Sequence, residues 1–234
     1  MSTAFSKVEY MFELQDTFNK RLNNNWKTAG YNFNTAIIVE CGELIDSLNW
    51  KWWKSQNDNI ANAKVECVDI WHFIMSLVMA NENTVSAECK RNILINTFIN
   101  TYNDSQNHSL SIVMIKNAPE AYRNNIISIV KNIIRLCCEI KIISLNELMY
   151  HFSMLTSFLF SDLNEFFEAY LIKNTLNIFR NKNGYKNGTY VKLWKYNDSE
   201  QEDNEVAIDL MRRYQITEMS ILLEKLNDTY QYNL

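Results

Sequence analysis

The strongest indication of the fold is the stretch Glu66-Cys-Val-Asp-Ile-Trp-His-Phe73, which lies within residues 60–80. Apolar residues recur there at helical spacing, and Glu66 occupies a position on the apolar face. A second stretch, Glu40-Cys-Gly-Glu43, lies in a similar pattern over residues 34–48. Residues i and i+3 share one face of a helix, so each stretch predicts a helix that carries two carboxylates side by side.

The two acidic pairs together predict a metal site. A charge on an apolar face is costly unless it is paired or bound to a cation, and no basic residue shares either face. Oxygen ligands suit Mg²⁺, with Mn²⁺ as the second choice. The competing interpretations are acids that pair with Lys or Arg elsewhere and a di-iron site, but di-iron sites use Glu-x-x-His pairs, which neither stretch contains. The predicted ligands are Glu40, Glu43, Glu66 and Asp69.

The composition predicts an all-α fold. Apolar residues make up 47% of the 234 residues, and one proline and four glycines leave few breaks for a turn-rich β fold. We expect a helical bundle whose two acidic helices form the metal site, within a single domain of residues 1–234. Its core would comprise about 5–80 and 165–228, with a motif-poor helical insertion at about 84–165. Helices are expected at 5–23, 34–48, 60–80, 125–143, 145–179 and 205–228, and loops at 100–109 and 181–198.

Charge and targeting signals exclude several classes of protein. The net charge of -4 gives no whole-chain attraction to nucleic acid or to an anionic membrane. The five cysteines are odd in number and contain no C-x-x-C spacing, so we expect buried, reduced thiols. The N-terminus lacks a signal-peptide pattern and no apolar run could span a bilayer. We therefore expect a cytoplasmic protein with no membrane and no stable nucleic-acid partner.

The segment Trp50-Lys-Trp-Trp-Lys54 contains three of the six tryptophans. One interpretation is a helix end that packs aromatic rings into the core, and at least one of the three rings is expected there. The other is a flat surface on which a nucleobase stacks, with a lysine beside it for phosphate.

A basic segment and three histidines complete the candidate groups. Residues 173–195 carry six Lys or Arg residues and no acid, which indicates either an anion site or an ordinary solvated loop. The loop 183–188 contains two glycines and could bring backbone N–H groups near phosphates, although it is not a P-loop. His72 is expected to be a hydrogen-bonded histidine near the site, and His108 and His151 are expected to be structural.

In this order the motifs resemble one family, the dimeric all-α dUTPases, within the wider all-α nucleoside triphosphate pyrophosphatases. The resemblance covers residues 10–80 and 170–205, and nothing in about 84–165 contributes to it. The matching blocks are Leu14-Gln-Asp-Thr-Phe-Asn19, Glu40-Cys-Gly-Glu43, Trp50-Lys-Trp-Trp-Lys54, Glu66-Cys-Val-Asp-Ile-Trp-His-Phe73, Lys173-Asn-Thr-Leu-Asn-Ile-Phe-Arg180, Asn183-Gly-Tyr-Lys-Asn-Gly-Thr-Tyr190 and Glu202-Asp-Asn204. Phe18 stands where the family pattern leads us to expect Leu, and Gly42 where it leads us to expect Ala.

The resemblance implies hydrolysis of dUTP, and also of dUDP, to dUMP by a homodimer. The four acids would hold Mg²⁺ against the phosphates, a metal-activated water would attack, and Glu40 would be its general base. Trp53 would stack on uracil, and Gln15 and Asn19 would hydrogen-bond its edge. The remaining substrate contacts implied are Lys54, Arg180, Lys186 and Lys192 to phosphate, Asn177 and Tyr185 to the nucleotide, and His72 close to the pocket.

Other functions remain open from the sequence. A close relative could act on dCTP or on a damaged nucleotide as a house-cleaning pyrophosphatase. A non-enzymatic helical module could bind nucleotide or single-stranded nucleic acid through its aromatic and basic clusters, although four acids near such a groove would repel a phosphate backbone. A helical scaffold with no ligand would leave the carboxylates on the apolar faces unexplained.

Overall fold

The computed structural model describes residues 3–81, 87–107, 118–139, 144–216 and 218–231. The chain divides into two compact units, Met1–Phe167 and Glu168–Leu234. The all-α prediction is confirmed, since helices make up most of the described residues and the sheet found there has two strands. The expectation of one domain over the whole chain stays a prediction.

The helices and strands follow one another in chain order with short connections. They are α1 (Ala4–Leu22), α2 (Phe33–Asp46), α3 (Ile60–Ala80), α4 (Ala87–Asn107), α5 (Pro119–Cys138), α6 (Leu145–Leu159), α7 (Leu163–Lys182), β1 (Leu193–Tyr196), β2 (Ser199–Glu202), α8 (Asp203–Arg213) and α9 (Met219–Gln231). Single 3₁₀ turns lie at Trp26–Thr28 and Tyr185–Asn187. No helix of the described residues is long and apolar enough to cross a membrane.

The two acidic helices both begin at an asparagine cap. The side chain of Asn32 accepts a hydrogen bond from the N–H of Thr35 at the start of α2, and Asn59 does the same for Asn62 at the start of α3. Each such cap stabilises a helix by about 1 kcal/mol. The expected α2 cap, Asn34 or Thr35, was placed too late in the chain because both residues lie inside the helix.

The core of the first unit is built around one tryptophan of α3. Trp71 is fully buried, and its ring stacks on Phe98 of α4 and on Phe152 of α6 at centroid distances of 5.4 and 5.0 Å. Phe12 of α1 meets the same ring edge-on at 5.7 Å. The segment expected as a motif-poor insertion therefore supplies part of the core that supports the acidic helices, and α5 packs against both α2 and α6.

The second unit contains a β-hairpin where a loop was expected. Strands β1 and β2 pair antiparallel, and the two residues between them, Asn197 and Asp198, both have positive φ, at 49° and 60°. This is the geometry of tight hairpin turns, which Asn and Asp tolerate better than most residues. Trp194 of β1 is buried against Phe179 and Tyr230, and these rings form the centre of the unit's core.

Three other boundaries differ from the expectations. The last helix, expected as one piece over 205–228, is two helices separated by a turn in which Gln215 has a φ of 49°. The polar segment expected as a loop over 100–109 is helical through Asn107, and His108 lies outside the described residues. The helix expected over 125–143 begins earlier and ends at Cys138, and 140–143 lie outside the described residues.

Candidate metal centre and nucleotide-binding residues

Three of the four predicted metal ligands converge. Glu40 and Glu43 of α2 and Glu66 of α3 each place a carboxylate oxygen within 4.8 Å of the others. Glu66 is 8% exposed, Glu40 is partly buried and Glu43 is exposed, so the cluster has a buried end and an open end. Within the described residues, this group contains neither His nor Cys. Such an oxygen-only set suits Mg²⁺ or Mn²⁺ better than zinc or a di-iron centre.

Asn62 ties the cluster to the end of α2. Its Nδ2 donates to Glu66 Oε1 at 3.1 Å and to Ser47 Oγ at 2.7 Å. Ser47 Oγ in turn donates to the backbone carbonyl of Glu43 at 3.0 Å. Both ends of this chain are therefore residues of the acidic cluster. The sequence analysis missed Asn62, although its spacing four residues before Glu66 places it on the same helix face.

Asp69, the fourth predicted ligand, is not part of the converging group. Its Oδ1 lies 3.9 Å from Nδ1 of His72. His72 is buried, and its Nδ1 donates to the carbonyl oxygen of Val68 at 2.8 Å, since a carbonyl can only accept. Asp69 as a metal ligand and His72 as a neighbour of the substrate both stay predictions.

The cysteines next to the acids remain thiols. Cys41 and Cys67, which follow Glu40 and Glu66, are fully buried, and burial raises the pKa of both thiols well above the ordinary value. A neutral thiol is a poor metal ligand because coordination needs the thiolate. The expectation of five buried cysteines is wrong for Cys89 and Cys138, which are exposed.

Gln15 and Asn19 form a buried polar cluster with Ser76 of α3. Gln15 Nε2 donates to Asn19 Oδ1 at 3.1 Å and to Ser76 Oγ at 3.2 Å, and Asn19 Nδ2 donates to Ser76 Oγ at 2.9 Å. Gln15 is 3% exposed and its Oε1 has no hydrogen-bond partner. Ser76 lies two helical turns after Asp69, about 10 Å along one face of α3. The sequence analysis did not single out Ser76, a polar residue among apolar neighbours.

The tryptophan segment is exposed. Trp50, Trp52 and Trp53 are 40, 89 and 57% exposed, so the expectation that at least one packs into the core is wrong. Trp53 meets Trp50 and Trp52 edge-on at centroid distances of 5.3 and 5.4 Å. Lys54 is also exposed, as the interpretation of a stacking surface requires.

The loop that carries these rings is anchored at its base. Asp58 accepts two hydrogen bonds of 2.9 Å from the guanidinium of Arg123 on α5, and a third from the N–H of Asn49 at 2.7 Å. The hydrogen bonds from Arg123 lower the pKa of Asp58 below its ordinary value. Asn59 N–H also donates to the carbonyl of Ser47 at 2.8 Å, which closes the loop between α2 and α3.

In the second unit, Arg180 is buried and bound to an acid. Its guanidinium donates two hydrogen bonds of 2.7 Å to Asp203, and one of 3.2 Å to Asn204. Tyr190 donates to the same Asp203 carboxylate at 2.7 Å. Burial opposes the charged form of Arg180, but Asp203 outweighs burial, and the pKa of Arg180 is raised. Asp203 and Asn204 belong to a block quoted from the sequence, yet their pairing with Arg180 was not foreseen.

The other predicted phosphate contacts of this unit are accessible. Lys186, Lys192 and Tyr185 are exposed, and Lys192 Nζ lies 5.7 Å from the centre of the Tyr185 ring. The turn between them depends on Gly184 and Gly188, whose φ values are 89° and 70°. Asn177 is partly buried. The roles predicted for all the substrate-binding residues stay predictions.

Comparison with protein families gives a match over residues 7–185 to the family described as dUTPase. The matched region contains the carboxylate cluster, the buried amides and the motif-poor segment, and it ends before Lys186 and Lys192. No individual curated protein matches the chain. Because the family match covers most of the chain and the fold is all-α, the chain belongs to the all-α dUTPase family and is a dUTP diphosphatase.

Proposed function

We propose that this enzyme hydrolyses dUTP, and also dUDP, to dUMP in a reaction that depends on Mg²⁺, with Mn²⁺ as a substitute. The observation that carries the proposal is the convergence of Glu40, Glu43 and Glu66 within 4.8 Å across two packed helices. Three carboxylates this close repel one another, and a divalent cation relieves that repulsion. Asp69 would complete the ligand set from the same face of α3.

The residues of the cluster would do different work. A bound divalent cation would supply charge neutralisation for the phosphates and a water of lowered pKa. Glu66 would hold that cation from the buried end, with its carboxylate oriented by Asn62. Glu40 is our candidate for the general base, because it is only partly buried and can receive the proton of the attacking water.

Two features of the first unit support binding of the base. The exposed rings of the tryptophan loop offer a surface for stacking, which is worth about 1–3 kcal/mol per base, and Trp53 would make this contact. The buried amides of Gln15 and Asn19 would bind the edge of uracil. His72, one turn before Ser76, would lie close to this pocket.

The exposed cations Lys54, Lys186 and Lys192 would neutralise phosphate charge, with Asn177 and Tyr185 contacting the nucleotide. Arg180 would contribute through the loop that it helps to hold. We also propose a cytoplasmic homodimer, which the family resemblance implies. Sedimentation at micromolar concentration tests the dimer, and a single monomer peak would contradict it.

The decisive experiment is a hydrolysis panel of dUTP, dUDP, dCTP and dTTP, with and without Mg²⁺. We expect pyrophosphate from dUTP and phosphate from dUDP, no turnover after chelation, and a drop of at least about a hundredfold in Glu40→Gln and Glu66→Gln. Full activity in either variant would refute the assignment of the site. A faster rate with dCTP than with dUTP would favour the relative that acts on cytosine.

A further inference from the structure

We propose that Ser76 is a positioning residue that fixes the direction of the Gln15 and Asn19 amides and thereby selects a nucleobase whose edge donates a hydrogen bond from a ring nitrogen. The proposal rests on the proposed function in one respect, that the base binds at these amides. It adds a residue, a direction for each amide, and a physical basis for discrimination between uracil and cytosine.

The direction of the amides follows from the hydrogen bond that Ser76 itself makes. Its hydroxyl donates to the backbone carbonyl of His72 at 2.8 Å, and a carbonyl can only accept. The single hydroxyl proton is thereby used, so Ser76 Oγ can act only as an acceptor toward Gln15 and Asn19. Both amides must turn their NH₂ groups toward it, at 3.2 and 2.9 Å.

The second contact fixes the remaining oxygen of the pair. Gln15 Nε2 also donates to Asn19 Oδ1 at 3.1 Å, so the oxygen of Asn19 already has a donor. Gln15 Oε1 is left as a buried acceptor with no partner. An unsatisfied buried acceptor costs about 1–3 kcal/mol, and a ligand that brings a donor to it recovers that cost.

This acceptor distinguishes the bases by the atom at their ring edge. Uracil and thymine both present an N–H at N3, which can donate to Gln15 Oε1. Cytosine presents a bare lone pair at N3, and its amino donor lies one position further along the edge, so cytosine must slide to make the same bond. Because Gln15 is 3% exposed, binding also requires a local opening above this oxygen.

The competing explanation is purely structural. The cluster could serve only to join α1 to α3, and loss of Ser76 would then lower stability and reduce turnover of every nucleotide alike. If Ser76 fixes the amides, Ser76→Ala lets them rotate, and Gln15 can present its NH₂ group to the bare N3 of cytosine. The two explanations therefore differ in selectivity, which a loss of packing alone does not change.

The test compares kcat/KM for dUTP, dCTP and dTTP in the native enzyme, Ser76→Ala and Ser153→Ala. Ser153 is the matched control, since it is fully buried in α6 and donates to the carbonyl of Phe98 at 2.6 Å. In Ser76→Ala we expect the ratio of dUTP to dCTP to fall by at least about tenfold, because one buried hydrogen bond is at stake. The ratio of dUTP to dTTP should hold, since both bases carry N3–H.

Binding of dUMP and dCMP without metal, measured by calorimetry, provides a readout that is independent of turnover. The preference of the native enzyme for dUMP should shrink in Ser76→Ala and persist in Ser153→Ala. An unchanged ratio of dUTP to dCTP, or an equal loss for all three nucleotides, would overturn the proposal. If Ser76→Ala does not fold, Ser76→Cys is used, since its thiol is a weak donor and acceptor, and the same ratio decides. A loss of Mg²⁺ dependence would instead contradict the proposed function.

Discussion

Replacing Asp203 by Asn should destabilise the second unit strongly. Asp203 is fully buried and the Arg180 side chain is 8% exposed, with two hydrogen bonds of 2.7 Å between them. The variant keeps the shape but removes the negative charge, so the buried guanidinium loses its charge partner. Breaking a buried pair in this way costs about 3–5 kcal/mol. Tyr190, which donates to the same carboxylate, would lose a charged acceptor as well.

The effect can be measured by urea unfolding together with hydrogen exchange of peptides from α7 and α8, which reports on this unit directly. Asp209→Asn is the matched control on the same helix. Asp209 pairs with Arg213 at 2.8 Å, but both side chains are more than 40% exposed, so its loss should cost less than about 1 kcal/mol. If the two variants are equally stable, the reasoning about burial is refuted. The double variant Arg180→Met, Asp203→Leu should recover most of the loss, since it leaves no buried charge.

Three further predictions concern the loops. Arg123→Ala should destabilise the first unit by about 1 kcal/mol at neutral pH; because the pKa of its aspartate partner is lowered in the folded protein, the native advantage should disappear as the pH falls through that pKa in acid unfolding experiments, and a constant difference would contradict this. Gly184→Ala should lower the thermal midpoint more than Gly188→Ala, since both need positive φ but only the first would also collide with a threonine hydroxyl, and equal midpoints would refute the collision. Trp53→Ala should raise KM for dUTP about tenfold while Trp52→Ala, the most exposed ring, serves as the control; equal effects would rule out a specific stacking role.

The acidic helices could be predicted because their signals are local. Helix α3 was expected over 60–80 and is found there, since apolar periodicity and one asparagine cap define it. The convergence of Glu40 and Glu66 was also foreseen, because i, i+3 spacing on two packed helices restricts where the carboxylates can lie. The participation of Asp69 was not resolved by spacing alone, because a residue at the edge of a helix face can turn toward either neighbour.

The features that the sequence analysis missed depend on contacts between distant residues. Arg123 lies 65 residues from Asp58, and no local pattern links α5 to the tryptophan loop. Arg180 was expected to face phosphate because the segment around it contains no acid, but its partner Asp203 lies 23 residues further on. The hairpin was missed although Asn197 and Asp198 are typical turn residues, because its short strands are polar and lack clear alternation.

The central claim is that the carboxylate cluster holds a divalent cation at the nucleotide. Binding of Mn²⁺ in the presence of α,β-imido-dUTP, followed by electron paramagnetic resonance, tests it most directly because no turnover is needed. The native enzyme and Glu13→Gln, which alters an exposed acid of α1, should bind Mn²⁺ alike, and Glu66→Gln should bind it at least about tenfold more weakly. Equal affinity of Glu66→Gln and the native enzyme would contradict the claim.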